Sequence, residues 1–252
     1  MTNGGEWLSL ADHRAFVAKP ATPGPHPALL VIHAVLGIDA YIRGLAESWS
    51  ALGYYAVIPD LYTHDPGFKA HEQEHIEMAA HMGTDPARQE EVLAPYPAEL
   101  RAAVMRAREW ISGRPGSTYI NTIRATFDQL RANPDIRAIG TIGFCMGGRL
   151  VGELAATGAD LAAGVIHYGG PPKLSEVATI RCPLEGHYAG TDTGITSKIP
   201  AFAEAMKAAG KPFTYYVYEA DHGFTLAGNR FPDAKRLAMA RSIAFLNKQL
   251  QP

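Results

Sequence analysis

The chain has 252 residues, of which 47% are hydrophobic and 19% are charged, a balance typical of a globular protein. Its formal net charge is -2 and no basic block stands out, which argues against nucleic acid or an anionic membrane surface as a partner. We find neither a signal-peptide pattern nor an apolar run long enough to span a bilayer. Because the chain has only two cysteines, we expect no disulfide framework and a cytoplasmic location.

Short apolar runs alternate with helix-like segments along most of the chain. The run at 28–33 is continuously apolar, as in a strand of a parallel sheet that is covered on both faces. In chain order, the sequence predicts strands at 13–19, 28–33, 54–59, 138–144, 165–168, 182–188 and 213–218, with helices at 38–52 and 233–250. This alternation predicts an α/β fold: a mostly parallel central sheet with helices on both faces, in a single domain spanning 1–252.

The segment 64–134 differs from the rest because it is polar and rich in histidine and shows no convincing strand. Its pattern is mostly helical, most clearly at 95–113. We therefore expect a helical excursion over the strand ends, which is where open α/β sheets bind their ligands.

The sequence Gly-Phe-Cys-Met-Gly at 143–147 follows an apolar run and precedes a helix-like segment. This is the pattern of a nucleophile elbow, with cysteine as its middle residue. A sharp turn from strand to helix pushes that side chain out at the top of the sheet, and small residues on either side avoid a clash. The pattern predicts Cys145 as a nucleophile, the alternative being a structural cysteine in a Gly-rich turn. Cys182, before a proline at a strand start, is predicted to be buried and unreactive.

Two further polar residues follow later predicted strands, Asp192 and His222. The chain order cysteine, aspartate, histidine is that of an α/β-hydrolase triad. In this interpretation His222 is the base that takes the proton of Cys145, and Asp192 orients and charges the imidazole. Asp221 is the rival for the acid, but neighbouring side chains on an extended segment point apart, which favours Asp192.

Stabilising an oxyanion requires two N–H donors. The elbow supplies the N–H of Met146, and the loop after the strand at 28–33 supplies that of Val35. Side chains just after strand ends or beside the triad are candidates for contact with substrate, namely His33, Tyr62, His64 and Phe224.

With these motifs, the chain resembles the dienelactone hydrolase family of α/β-hydrolases, from about Phe16 to the last helix. The resemblance implies an α/β-hydrolase fold and a monomeric, cofactor-free, carboxymethylenebutenolidase-like hydrolase that opens enol-lactones or cleaves small esters. It also implies that Cys145, Asp192 and His222 form the triad. The matching segments are 31–37, 58–62, 143–148, 190–192 and 221–224.

Two positions depart from that family. Members that open dienelactone carry a glutamate where this chain has Ala34, and an arginine four residues after the histidine, where this chain has Leu226. Arg230 lies one helical turn further on. We therefore expect a less charged small-molecule ester, lactone or thioester as substrate. Either His222 activates the thiol alone, or the thiolate is already formed at rest.

Two other functions are compatible with the sequence. His71-Glu72-Gln73-Glu74-His75, with His81 further on, is a literal His-Glu-x-x-His motif, which on a helix would suit a zinc hydrolase. A third ligand at that spacing normally needs a glycine midway, where this chain has Met78, so we expect no resident metal. A non-catalytic ligand-binding protein also remains an alternative, because the fold alone does not set the function.

Overall fold

The computed structural model describes residues 4–10, 12–82, 86–113, 116–226 and 230–250. In these ranges eight strands form a single sheet. They are β1 (Glu6–Leu10), β2 (His13–Ala18), β3 (His26–Ile32), β4 (Tyr55–Pro59), β5 (Ile136–Phe144), β6 (Ala163–His167), β7 (Leu184–Ala189) and β8 (Phe213–Tyr218). The order is β1-β2-β4-β3-β5-β6-β7-β8. The sheet is antiparallel from β1 to β4 and parallel from β4 to β8, which confirms the predicted, mostly parallel α/β architecture.

Helices cover both faces of the sheet. Within the described ranges they are α1 (Ala40–Ala51), α2 (Pro66–Lys69), α3 (Gln73–His81), α4 (Pro86–Leu93), α5 (Ala98–Gly113), α6 (Gly116–Ala132), α7 (Met146–Ala156), α8 (Thr193–Thr196), α9 (Ile199–Ala208) and α10 (Pro232–Leu250), with a 3-10 helix at Leu174–Thr179. Helices α6, α7 and α9 pack on one face, and α1 and α10 pack on the other. In this part of the chain, no helix combines the length and apolar character needed to cross a membrane.

The apolar run of β3 shows why this strand lies at the centre. Leu30 and Ile32 point to the face covered by α6 and α7, whereas Leu29 and Val31 point to the face covered by α1 and α10. All four are completely buried. Burying one such side chain contributes about 2 kcal/mol, so a polar residue at any of these positions would be costly. Because both faces of the strand need apolar residues, its sequence does not alternate between apolar and polar residues.

The sequence did not reveal β1. It pairs with β2 at the sheet edge, where only one side of the strand has a neighbour. Its residues are mostly exposed or half-buried, and Trp7 is 42% exposed. An edge strand buries too little apolar surface to leave a clear pattern. Strand β6 also ends one residue earlier than predicted, because Tyr168 leaves it with a φ of 41°.

The described part of 64–134 contains helices α2 to α6 and no strand, as predicted. Helices α3 and α5 pack together around Ile76, Ala79 and Val104, and they contact Val35 in the loop after β3. This small cluster brings the helices over the carboxyl end of the parallel sheet. The helical excursion therefore covers the carboxyl ends of the parallel strands.

Candidate active site

Cys145 lies in a sharp turn between β5 and α7, with a φ of 55° and a ψ of -113°. A Cβ on Gly143 would overlap the carbonyl of Gly147, and one on Gly147 would overlap the carbonyl of Ile32. Only glycine permits so close an approach of backbone segments. The strained turn is held by the N–H of Cys145, which donates to the carbonyl of His167 at 3.0 Å.

The turn brings Cys145 next to the residues after β7 and β8. The Nε2 of His222 lies 3.0 Å from the Sγ of Cys145, and its Nδ1 lies 2.6 Å from the Oδ2 of Asp192. The side chains of His222 and Asp192 are only 33% and 18% exposed. The arrangement is that of a nucleophile, a base and an orienting acid within hydrogen-bond reach of one another.

Asp221, the rival acid, has other partners. Its carboxylate accepts a hydrogen bond from the hydroxyl of Thr191 at 2.9 Å and pairs with the guanidinium of Arg230 at 2.8 Å. The side chain of Arg230 is 79% exposed. The structure therefore brings Asp192, not Asp221, to the imidazole.

The pKa values of the thiol and the imidazole move in opposite directions. Burial alone raises the pKa of the Cys145 thiol, but the charge and hydrogen bond of His222 and the N–H of Met146 together bring it below its usual value. Burial alone lowers the pKa of His222, but the Cys145 thiolate and the Asp192 carboxylate raise it to about 10. Both shifts are in the direction that favours a thiolate–imidazolium pair over a neutral thiol and imidazole, although Ala34 supplies no carboxylate.

The two residues predicted to supply oxyanion donors lie beside the thiol. Met146 begins α7, so its N–H belongs to the end of a helix that favours negative charge. Val35 is buried, lines the same cavity as Cys145 and Met146, and its carbonyl accepts a hydrogen bond from Tyr62 at 2.8 Å. The pair remains the predicted oxyanion site.

The structure corrects the prediction that His33 and Tyr62 contact substrate. His33 is completely buried, its Nδ1 donates to the Ala34 carbonyl at 2.7 Å and its Nε2 accepts from the Leu61 N–H at 3.3 Å. Tyr62 is 3% exposed and stacks on Phe68. Both side chains bind backbone carbonyls of the loop that carries Val35, and neither lines the cavity.

His64 and Phe224 are likewise outside the cavity. The side chain of His64 is 50% exposed, and its Nε2 lies 3.6 Å from a carboxylate oxygen of Asp12. Phe224 is 5% exposed and packs against Tyr168 and Tyr218. Being near a strand end in sequence did not direct either side chain toward the thiol.

The cavity above Cys145 has a volume of about 290 Å³, a size suited to a small ligand. Its lining is mostly apolar but includes two arginines that we did not predict, Arg108 and Arg149. The described lining residues include no carboxylate, and they are Val35, Ala80, Arg108, Ile111, Tyr119, Cys145, Met146, Arg149, Tyr168, Gly170, Ile195 and His222.

Both arginines had detectable sequence signals. In α5, Val104, Ala107, Arg108 and Ile111 are spaced as one face of a helix, so Arg108 lies in the stripe that faces the site. Arg149 lies one helical turn after Cys145 in α7, where it also pairs with Glu153.

The geometry overturns the zinc interpretation of the His-Glu-x-x-His motif. Helix α3 begins at Gln73, so His71 and His75 do not lie one turn apart on a helix. His71 packs against the ring of Trp110, and His75 lies 3.9 Å from Glu72. The side chain of His81 is outside the described part. Among described residues, no group of three potential metal ligands comes together.

The sheet order, the elbow and the three aligned side chains define an α/β-hydrolase. The sequence matches the dienelactone hydrolase family over residues 13–250. The chain belongs to the dienelactone hydrolase family, and it is a hydrolase.

Individual relatives agree with this assignment. The chain is 30% identical over 224 residues to a proposed carboxymethylenebutenolidase of Methylorubrum extorquens, covering 83% of this chain and 67% of that one. It is 24% identical to the carboxymethylenebutenolidase of Pseudomonas sp. strain P51, covering 91% and 87%. A crystal structure of a proposed dienelactone hydrolase from Klebsiella pneumoniae superposes with a TM-score of 0.73 at 21% identity, covering 95% and 96%. The dienelactone hydrolase of Anabaena variabilis gives 0.63 at 16% identity, covering 98% and 100%. These structural matches support the fold.

Proposed function

We propose that this chain is a metal-free cysteine hydrolase of small esters or lactones that works through an acyl-thioester intermediate. The observation that carries the proposal is the continuous line of hydrogen bonds from Asp192 through His222 to Cys145, with distances of 2.6 Å and 3.0 Å. Membership of the dienelactone hydrolase family supports the same chemistry.

In the acylation step, the Cys145 thiolate attacks the carbonyl carbon of the substrate. The resulting oxyanion faces the N–H groups of Met146 and Val35, our proposed oxyanion site. As the carbon–oxygen bond breaks, the Nε2 proton of His222 passes to the leaving oxygen. An ester leaves an acyl thioester on Cys145, a free alcohol and a neutral imidazole. With a lactone the new hydroxyl stays attached to the acyl group on Cys145.

In the deacylation step, water attacks the thioester. Neutral His222 takes a proton from that water, and Asp192 stabilises the imidazolium that forms. The carbon–sulfur bond breaks and the carboxylic acid leaves, which restores the thiolate–imidazolium pair. Because the thiolate is a good leaving group and His222 keeps its hydrogen bond to Asp192, the cycle needs no cofactor.

Trapping the intermediate tests the proposal. We expect mass spectrometry of EDTA-treated enzyme, acid-quenched soon after mixing with p-nitrophenyl acetate, to find one acetyl group, mapped to the peptide containing Cys145. A release of p-nitrophenol equal to the enzyme concentration would accompany it if water attack is slower than acylation. Steady turnover by enzyme that never carries acyl on Cys145 would contradict the mechanism.

The two cavity arginines indicate the charge of the substrate. Arg108 donates only one described hydrogen bond, to the carbonyl of Ala79 at 3.3 Å. The guanidinium of Arg149 forms an ion pair with Glu153 and also faces the cavity. In a cavity whose described lining has no carboxylate, these cations favour a substrate that carries its own carboxylate. We therefore propose an anionic ester or lactone, which reverses the expectation that Leu226 produced from the sequence.

Neutralising Arg149 tests this preference. A charge-assisted hydrogen bond is worth about 1.5–3 kcal/mol, so we expect Arg149→Gln to lower kcat/KM for mono-p-nitrophenyl succinate about tenfold or more. Activity on neutral p-nitrophenyl acetate should change little. Arg108→Gln should behave alike, and exposed Arg230→Gln is the matched control with no effect. Equal losses on both esters would contradict carboxylate recognition.

A further inference from the structure

The loop that carries His222 contains a completely buried residue, Thr225, whose polar groups bind side chains from other parts of the protein. Thr225 lies three positions after the imidazole. Its hydroxyl lies 2.7 Å from the hydroxyl of Tyr168 and 3.4 Å from the Nδ1 of His167. Its carbonyl accepts a hydrogen bond from the hydroxyl of Tyr41 at 2.6 Å. Three side chains from two parts of the chain, the end of β6 and helix α1, therefore bind this single residue.

Beneath Thr225 lies a buried polar chain that the hydrolytic steps do not use. The Nε2 atoms of His167 and His187 lie 3.0 Å and 3.1 Å from the hydroxyl of Ser242 on α10. The Nδ1 of His187 lies 2.9 Å from the hydroxyl of Tyr218, which also accepts from Arg241.

The direction of the hydrogen bonds follows from counting protons. Ser242 donates its only hydroxyl proton to the carbonyl of Ala238 at 3.0 Å. Both histidines must then donate from Nε2, which leaves the Nδ1 of His167 as an acceptor. Thr225 therefore donates to His167 and accepts from Tyr168. A hydroxyl at this position can do both, whereas an apolar side chain can do neither.

Tyr168 connects this hydrogen-bond network to His222. The ring of Tyr168 meets that of His222 at a centroid distance of 5.1 Å, in an edge-on geometry, and it lines the cavity. We propose that Thr225 is a positioning residue for His222: by fixing Tyr168 and the loop together, it keeps the imidazole at hydrogen-bond distance from Cys145. The inference rests on the proposed function only where turnover is measured.

The charged and titratable groups around this hydrogen-bond network keep its two histidines neutral, and so keep its hydrogen bonds in place, near neutral pH. Burial, with a smaller effect of His187, holds the pKa of His167 well below its usual value. Burial also lowers the pKa of His187, against the opposing pull of Glu185 at 3.0 Å. Burial raises the pKa of Tyr168 well above its usual value. Lys235, which donates to the Leu226 carbonyl, and Arg241 complete the facing groups. Both histidines are thus neutral, as the proton count requires.

The test compares the reactivity of Cys145 in Thr225→Val and in wild type. Valine keeps nearly the same volume but loses the hydroxyl. We measure the rate of alkylation by iodoacetamide as a function of pH, which reports the thiolate that His222 maintains. In Thr225→Val we expect the midpoint of this profile to move up by about one pH unit, and kcat/KM for p-nitrophenyl acetate to fall about tenfold. Both effects follow from a displaced imidazole.

Two variants separate positioning from general stability. Thr225→Ser restores the hydroxyl and should restore both readouts. Thr141→Val removes another completely buried threonine hydroxyl, one that donates to the Leu30 carbonyl at 3.0 Å, and it should change neither. If Thr225→Val does not fold, Tyr41→Phe provides a second test. It removes the hydrogen bond from half-buried Tyr41 on α1 to the Thr225 carbonyl, and it should shift the alkylation profile in the same direction by a smaller amount.

The outcomes are distinct. An unchanged alkylation profile in folded Thr225→Val, or an equal shift in Thr141→Val, would overturn the proposal. A serine variant that behaves like valine would do so as well. If no sample hydrolyses the ester but the profile shifts as expected, the proposed hydrolysis fails while the positioning role stands.

Discussion

Replacing Cys145 with alanine is expected to reduce kcat/KM for p-nitrophenyl acetate by a factor of about 10⁴ or more, measured after exhaustive EDTA treatment of both proteins. A loss of this size is expected because no acyl-enzyme can form without the thiolate, and direct attack by water is a much slower route. The residual rate would come from that route, helped by binding and the oxyanion donors.

Cys182→Ala is the matched control for this experiment. Cys182 is 2% exposed, and burial raises the pKa of its thiol to about 11, so it stays a thiol and is out of reach of substrate. We expect its replacement to lower stability slightly and leave turnover unchanged. Loss of wild-type activity in EDTA, or activity that persists without Cys145, would move the site elsewhere in the chain.

The sequence was sufficient to predict the arrangement of Cys145, Asp192 and His222 because parallel strands bring their carboxyl ends to one edge of a sheet. Each of these residues follows such a strand, β5, β7 or β8. Once the strands are recognised, proximity in space follows from topology. The strands were recognisable because burial on both faces leaves long apolar runs.

The residues that line the cavity were not predictable in the same way. Arg108 reaches the site from α5, whose position over the sheet depends on how α3 and α5 pack around Val35. That packing is tertiary, so the stripe of α5 that contains Arg108 does not by itself reveal which cavity it faces. His33 illustrates the converse error. It directly follows β3, but its side chain turns beneath the loop, where it binds the Leu61 N–H.

A single replaced residue in the sequence does not determine which charges reach the cavity. The family resemblance implies an arginine at the position of Leu226, and from its absence alone a less charged substrate is expected. The structure shows that two arginines from other elements reach the same cavity. The positions of Cys145, Asp192 and His222 follow from strand ends, whereas a positive charge at the cavity can come from any helix that packs above those ends.

Replacing Asp192 with asparagine is the second large effect that we expect. Its carboxylate accepts a hydrogen bond from the Nδ1 of His222 at 2.6 Å and helps to raise the pKa of that imidazole. An amide keeps the shape but loses the charge, and it can present its NH₂ group to the ring and select the wrong tautomer. We expect kcat for p-nitrophenyl acetate to fall by about 10²–10⁴.

The pH dependence gives this variant its own signature. Without the carboxylate the imidazolium is less stable, so the pKa of His222 falls and the thiolate–imidazolium pair reverts to thiol and imidazole. Alkylation of Cys145 at neutral pH should slow in Asp192→Asn. Asp221→Asn removes an equal charge from the neighbouring position, where the carboxylate serves Thr191 and Arg230, and it should keep activity within about threefold of wild type. The reverse ranking of the two variants would assign the acid to Asp221 and require the His222 loop to rearrange during catalysis.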